Sequence, residues 1–151
     1  MQEILTSFLN IAQDPGPHLM QWKSRNLKKI VACVPMHFPE EIIHAAGLLP
    51  VITWESPEPF SIAYAHVPSF FCGVVRSVVD MAIRDKLDFL DGLVLPDTCL
   101  MVRGIKNIIH WNYRCAFQYH LYLPPVLKGN ADSLFLRNAL DRFKKSLEQF
   151  V

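Results

Sequence analysis

Residues Lys29–Trp54 read KIVACVPMHFPEEIIHAAGLLPVITW, and the order of the runs in this stretch decides the fold. Lys29 to Val34 holds a short continuous apolar run closed by Pro35, the signature of a strand buried on both faces. Phe38-Pro39-Glu40-Glu41 opens a helix. Proline suits the first helical position, and acids in the first turn suit the positive end of the helix dipole. The helix runs through Ile42, Ile43, Ala45 and Ala46 and stops at Gly47, a common C-terminal cap. Leu49 to Trp54 is the next strand.

The same alternation continues downstream. Residues 55–68 are irregular, with several prolines and aromatics. Val74, Val75, Val78, Val79, Ala82 and Ile83 then repeat at helical spacing, with Arg76, Asp80, Arg84 and Asp85 expected on the opposite, solvated face. Asp91-Gly92 turns the chain into the strand Leu93-Val94-Leu95, which ends at Pro96. Asp97 and Thr98 are the expected N-caps of a helix containing Cys99, Leu100, Ile105, Ile108 and Ile109. Phe117 to Leu123 reads as a fourth strand, and Ser133 to Phe150 as an amphipathic helix.

Upstream, residues 1–28 form a helical lead broken at Asp14-Pro15-Gly16-Pro17. The element order therefore predicts an α/β domain over residues 29–151: a three-layer, mostly parallel sheet of flavodoxin/Rossmann-like type behind a helical lead. Ligands of such sheets bind outside the carboxyl ends of the strands. Pro35-Met36-His37, the 55–71 loop and Pro96-Asp97-Thr98-Cys99 all follow strands and share that edge.

The 151 residues are about half apolar and about a fifth charged, enough for one domain with a real core. Fifteen basic and fourteen acidic residues nearly cancel, so nothing marks a nucleic-acid or anionic-membrane partner. No apolar run is long enough to span a bilayer, and the opening MQEILTSFLN is not a secretory leader, so a cytoplasmic location is expected. G-x-S-x-G, the Walker phosphate loop and G-x-G-x-x-G are all missing, which leaves serine hydrolysis and P-loop ATP hydrolysis without support.

The chemistry concentrates in the cysteines. Cys33, Cys72, Cys99 and Cys115 include no C-x-x-C pair, and free thiols are expected. Cys72 and Cys99 each fall in the first turn of a predicted helix, where unpaired N–H groups and the dipole favour a thiolate, the form that ligates metal. If both helices start on one sheet edge, the two sulfurs can converge; the plainer reading is two small core residues. Cys33 lies mid-strand and Cys115 has no thiol partner nearby in sequence. His44 stacks over Glu40 and Glu41 on helical spacing, which suits either proton transfer or a simple surface pair. His37 and His66 lie in loops near the ligand edge, as candidates for substrate contact.

One stretch is more specific than periodicity. Val34 to Val51, VPMHFPEEIIHAAGLLPV, resembles the opening motif of the 2-hydroxyacyl-CoA dehydratase family, which includes the benzoyl-CoA reductase subunits. The likeness continues through Phe71-Cys72-Gly73-Val74-Val75-Arg76-Ser77, through Leu87 to Pro96, and at Cys99; Gln21-Trp22-Lys23 also fits. It covers most of residues 20–125 and lies closer to the reductase side.

The resemblance implies that Cys72 and Cys99 are two ligands of a [4Fe–4S] cluster, with a further cysteine coming from a second α/β domain that this sequence does not contain. It also implies a homologous second subunit, an ATP-dependent activator as electron donor, and an acyl-CoA thioester as substrate. Glu41 and His44 are then candidate catalytic groups and His37 a candidate substrate contact. One departure concerns the cluster's surroundings: an acid commonly follows the second family cysteine, and Leu100 stands here. The expectation is the N-terminal domain of an iron–sulfur subunit that contributes to low-potential electron transfer. The alternatives are a non-catalytic acyl-CoA- or partner-binding module, or a structural partner completing another subunit's site.

Overall fold

The computed structural model describes residues 2–35 and 38–151. Its centre is a four-stranded, all-parallel sheet: β1 (Ile30–Cys33), β2 (Leu49–Ile52), β3 (Gly92–Pro96) and β4 (Phe117–Leu121), in the order β2-β1-β3-β4. The helices are α1 (Gln2–Gln13), α2 (Gly16–Asn26), α3 (Glu40–Ala45), α4 (Ala63–His66), α5 (Gly73–Ile83), α6 (Leu100–Asn112) and α7 (Asn130–Phe150). The three-layer α/β expectation and the helical lead are both borne out. None of these helices is long and apolar enough to cross a membrane.

Alternation along the strands builds two cores. Ile30, Ala32 and Val34 with Leu93 and Leu95 pack under Val75, Val78, Val79, Val102 and Ile105 of α5 and α6. Val31, Cys33, Val94, Phe117 and Leu121 pack on the opposite face against Ile43 of α3 and Ala139, Phe143 and Leu147 of α7. β1 and β3 are buried on both faces, which is why they read as continuous apolar runs. Leu19 ties α2 into the first core.

Tyr113, at the end of α6, is buried and donates its hydroxyl to the Leu87 carbonyl at 2.7 Å. That bond fixes the α5–β3 connection to the α6–β4 connection. Gly92 permits the close seating of β4: a Cβ at that position would stand 3.1 Å from the Cβ, Cδ1 and carbonyl oxygen of Phe117.

Three local expectations are corrected. The 55–68 region is not wholly irregular, since it carries the single-turn α4. Asp80 does not face solvent: it is buried, and its Oδ1 accepts the N–H groups of Ser61, Ile62 and Ala63 at 3.0, 2.8 and 3.0 Å while Oδ2 pairs with Arg84 at 2.8 Å. A carboxylate on the helix thus supplies what the loop lacks, acceptors for three otherwise orphaned donors. Neither Asp97 nor Thr98 caps α6; the N-cap is Cys99 itself.

Candidate functional site

The strand order changes direction between β1 and β3, so the loops after these two strands flank the switch point where ligands of parallel sheets bind. α5 and α6 both start at this carboxyl edge and pack against each other on one sheet face. Each is preceded by a cysteine in extended backbone. Cys72 (φ −62°, ψ 158°) caps α5, and Cys99 (φ −147°, ψ 158°) caps α6. Their carbonyls accept the first intrahelical bonds, from Arg76 and Arg103, at 3.1 Å each.

The two starts are physically joined. The Cys72 N–H donates to the Met101 Sδ at 3.3 Å, which holds the α5 start to the first turn of α6. Phe71 rests on the same helix at Gly104, where an added Cβ would come within 3.2 Å of the ring. The Val102 N–H points at the Cys99 Sγ at 3.5 Å. Glu55, just after β2, lays its carboxylate over Gly73, in the space a Cβ there would fill. Sequence reading missed Met101, Gly104 and Glu55. Their roles depend on contacts between segments far apart in the chain, and no local spacing signals them.

The four thiols separate sharply by environment. Cys72 is exposed and Cys99 half-buried. Cys33 is sealed between the layers, and burial, with the nearby Glu40 adding to it, pushes its thiol well above the ordinary value. Burial also raises Cys115, whose Sγ–H donates to the Phe117 carbonyl at 3.1 Å. Cys33 and Cys115 are thus held as neutral thiols; Cys72 is the exposed cysteine, and Cys99 is half-buried, as Cys115 also is.

Beside Cys99 lies a cleft of about 540 Å³ between the α6 start and the β4–α7 connection. Asp97, Thr98, Leu100 and Arg103 line one side, and Leu123, Pro124, Pro125, Leu127 and Leu136 the other. Asp97 grips the Arg103 guanidinium through two bonds of 2.7 and 2.9 Å. That fork fixes the cation at the cleft and is the reason Asp97 is not free to cap. Among the described residues, no partner meets the buried Thr98 Oγ1 at the cleft, nor either buried ring nitrogen of His120 on β4. Burial, and after it the Lys106 charge, push His120 below its ordinary value, so the ring is neutral at physiological pH.

The other predicted residues lie elsewhere. Glu41 lines a groove between α3 and α7 with Lys144 and Glu148, on the sheet face opposite α5 and α6. His44 is exposed in the last turn of α3. The structure therefore does not bring Glu41 and His44 to the cysteines. His66 is exposed at the end of α4, and His37 lies outside the described residues. Among the described residues, no group of three or more His, Cys, Asp or Glu side chains is arranged to hold a metal ion. Cys72 and Cys99 stand as a pair.

The family model described as 2-hydroxyglutaryl-CoA dehydratase, D-component, matches residues 35–151. The chain belongs to this family. Among curated relatives, the (R)-phenyllactyl-CoA dehydratase beta subunit of Clostridium sporogenes is 24% identical over 97% of this chain and 38% of its own length. A benzoyl-CoA reductase subunit of Thauera aromatica is 26% identical over 85% of this chain and 34% of its own. The (R)-2-hydroxyglutaryl-CoA dehydratase beta subunit of Acidaminococcus fermentans is 26% identical over 97% of this chain and 39% of its own. The chain thus spans under two fifths of the length of these family members, all of them subunits of acyl-CoA dehydratases or reductases by name.

Proposed function

We propose that this chain is the N-terminal domain of an iron–sulfur subunit of a benzoyl-CoA reductase or 2-hydroxyacyl-CoA dehydratase-like enzyme, contributing to low-potential electron transfer to an acyl-CoA thioester. The observation that carries the reading is the pair of thiols, Cys72 and Cys99, capping neighbouring helices that Met101 locks together at one sheet edge.

The donor set fits part of a [4Fe–4S] site. Such clusters take four ligands, commonly thiolates, and their potentials depend on hydrogen bonds to sulfur and on exposure. Cys72 and Cys99 supply two ligands, and the Val102 N–H is already directed at one sulfur. A further cysteine ligand comes from outside the described residues, in this reading from the family's second α/β domain, with residues 29–151 as the first. The catalytic assembly is completed by a homologous second subunit, and an ATP-hydrolysing activator delivers the electron. When bound, the cluster supplies one-electron chemistry that no side chain here can perform. The chain's own work is to fix two thiols, through Met101, the Phe71–Gly104 contact and the Asp80-anchored loop. It also offers the apolar cleft beside Cys99, with Arg103 held at its mouth, to the acyl-CoA. The reading gives no step to Glu41 or His44, which lie on the other side of the sheet, and places the protein in the cytoplasm.

Anaerobic reconstitution with ferrous iron and sulfide, on the chain alone and joined to a second α/β domain of the family, tests the reading. The expected result is charge-transfer absorption and bound iron in the joined form. Cys72→Ala or Cys99→Ala removes both signals and Cys115→Ser leaves them. No cluster signal in either form, or an unchanged signal in the double cysteine variant, would sink it.

The cleft also supports a second reading, a non-catalytic acyl-CoA-binding module. It expects calorimetric binding of a CoA thioester by the metal-free chain, weakened at least tenfold by Arg103→Ala and unaffected by Cys72→Ala. Absence of binding excludes it.

A further inference from the structure

Arg76 stands on α5 one turn after Cys72, and its charge is left unmatched. The ordinary partner on helical spacing is Asp80, four residues on. Asp80 is already taken: its Oδ2 pairs with Arg84 at 2.8 Å, and its Oδ1 accepts the three loop N–H groups. Arg103, at the start of α6, is matched by Asp97. Glu55 lays its carboxylate over Gly73, the residue after Cys72. Among the described residues, neither Glu55 nor any other carboxylate forms an ion pair with Arg76.

Aromatic rings hold the side chain instead. The guanidinium carbon lies 4.7 Å from the centre of the Phe60 ring and 5.5 Å from that of Tyr64. Its Nη1 donates to the Tyr64 hydroxyl at 3.1 Å, while the buried Nε meets no acceptor among the described residues. Ring faces attract a cation without neutralising it. Phe60 and Tyr64 flank the Ser61–Ala63 turn that Asp80 anchors, so the clamp is fixed to the same helix that carries Arg76. A half-buried cation with no counter-charge is costly, and an anion arriving beside it relieves the cost.

We infer that Arg76 is the positioning residue for the charge of the cysteine edge: an immobile cation that holds positive potential at Cys72 and favours the more negative, reduced state of a cluster ligated there. The Arg76 N–H is bonded to the Cys72 carbonyl at 3.1 Å, and long side chains on a helix lean toward its N-terminal turn, which Cys72 opens. A thiolate-held cluster is anionic, and its potential follows the charge around it. The second half of the inference rests on the cluster reading; the first half does not and is tested without metal.

Thiol exchange on the metal-free chain tests the first half, with a dianionic aryl disulfide (dithiobis-nitrobenzoate) and a neutral one (dithiodipyridine). A Cys99→Ser, Cys115→Ser background leaves exposed Cys72 and sealed Cys33 as the thiols. The ratio of the two rates cancels the thiolate fraction and reads the local potential. Arg76→Gln is expected to lower the ratio about threefold at low ionic strength. Arg76→Lys, which keeps the charge, restores it, and Arg25→Gln, near the amino edge of the sheet, leaves it unchanged. A ratio unmoved by Arg76→Gln, a lysine variant that behaves like the glutamine one, or an equal loss in Arg25→Gln would overturn the proposal. For the second half, Arg76→Gln in the reconstituted, joined form should keep the cluster absorption and lower the midpoint potential, by about 60 mV if the one-electron equilibrium moves tenfold. An unchanged potential with the cluster present overturns that half. Absence of any cluster removes the cluster reading and that half with it, while the rate ratio still decides the first.

Discussion

The Cys72 N–H donates to the Met101 Sδ at 3.3 Å, so the start of α5 hangs on a side chain of α6, 29 residues further along the chain. Without that bond, Cys72 sits on an exposed loop end held mainly by Phe71 on Gly104. Met101→Ala is expected to raise hydrogen exchange at the Cys72 amide several-fold and to leave the strands unchanged. Exchange mass spectrometry over residues 70–73 reads the difference.

Thiol environments predict an order of reactivity. Cys72 is exposed and Cys99 half-buried, while burial raises both Cys33 and Cys115. Maleimide labelling of the native, metal-free protein should modify Cys72 first and Cys99 next. Cys33 should react only after denaturation. Peptide mass spectrometry checks the order, and early labelling of Cys33 would contradict the two-sided burial of β1.

Asp80 should carry an acid-sensitive share of stability. Its burial works to raise the pKa, but three backbone N–H bonds and the Arg84 pair outweigh that and hold it below the ordinary carboxylate value. A depressed folded pKa contributes stability that is complete above the unfolded pKa of about 4 and is lost as pH falls through the folded value. Asp80→Ala is expected to cost about 3 kcal/mol at pH 7, since three donors lose a charged acceptor; Asp80→Asn should cost about 1 kcal/mol. Urea unfolding at neutral pH and again in acid should show the gap between wild type and variant closing.

Gly92 is fixed by packing against Phe117. Two of the three atoms that a Cβ would crowd, the Phe117 Cβ and carbonyl oxygen, remain whatever apolar side chain stands at 117. Gly92→Ala is therefore expected to cost about 1–3 kcal/mol, and truncating Phe117 to Leu should not rescue it. Chemical denaturation of the single and double variants measures this.

Leu27 presents the opposite case. It closes α2 in the left-handed region at φ 52° and is 91% exposed. No burial is lost by replacing it, and glycine takes that conformation without strain. Leu27→Gly should stabilise the chain by roughly 0.5–1 kcal/mol, raising Tm by about 2 °C. A fall in Tm would mean the exposed leucine has a partner.

By itself the sequence determined the layer order, because two-sided burial leaves a mark in the central parallel strands. Ile30–Cys33 and Gly92–Pro96 had to be continuous apolar runs, and the helices between them had to be amphipathic. It also placed Cys72 and Cys99 at helix starts, since capping and turn chemistry are local.

Only the tertiary structure decided which groups meet. Asp80 looked solvated on helical spacing and is instead the acceptor for a loop some twenty residues before it. Asp97 looked like a cap and is bound to Arg103. Glu41 was a candidate catalytic group alongside the two cysteines, yet α3 carries it to the face of the sheet opposite the helices they cap. Periodicity records how each segment is buried. Which segments then touch depends on strand order and loop path, and those are settled by packing the whole chain.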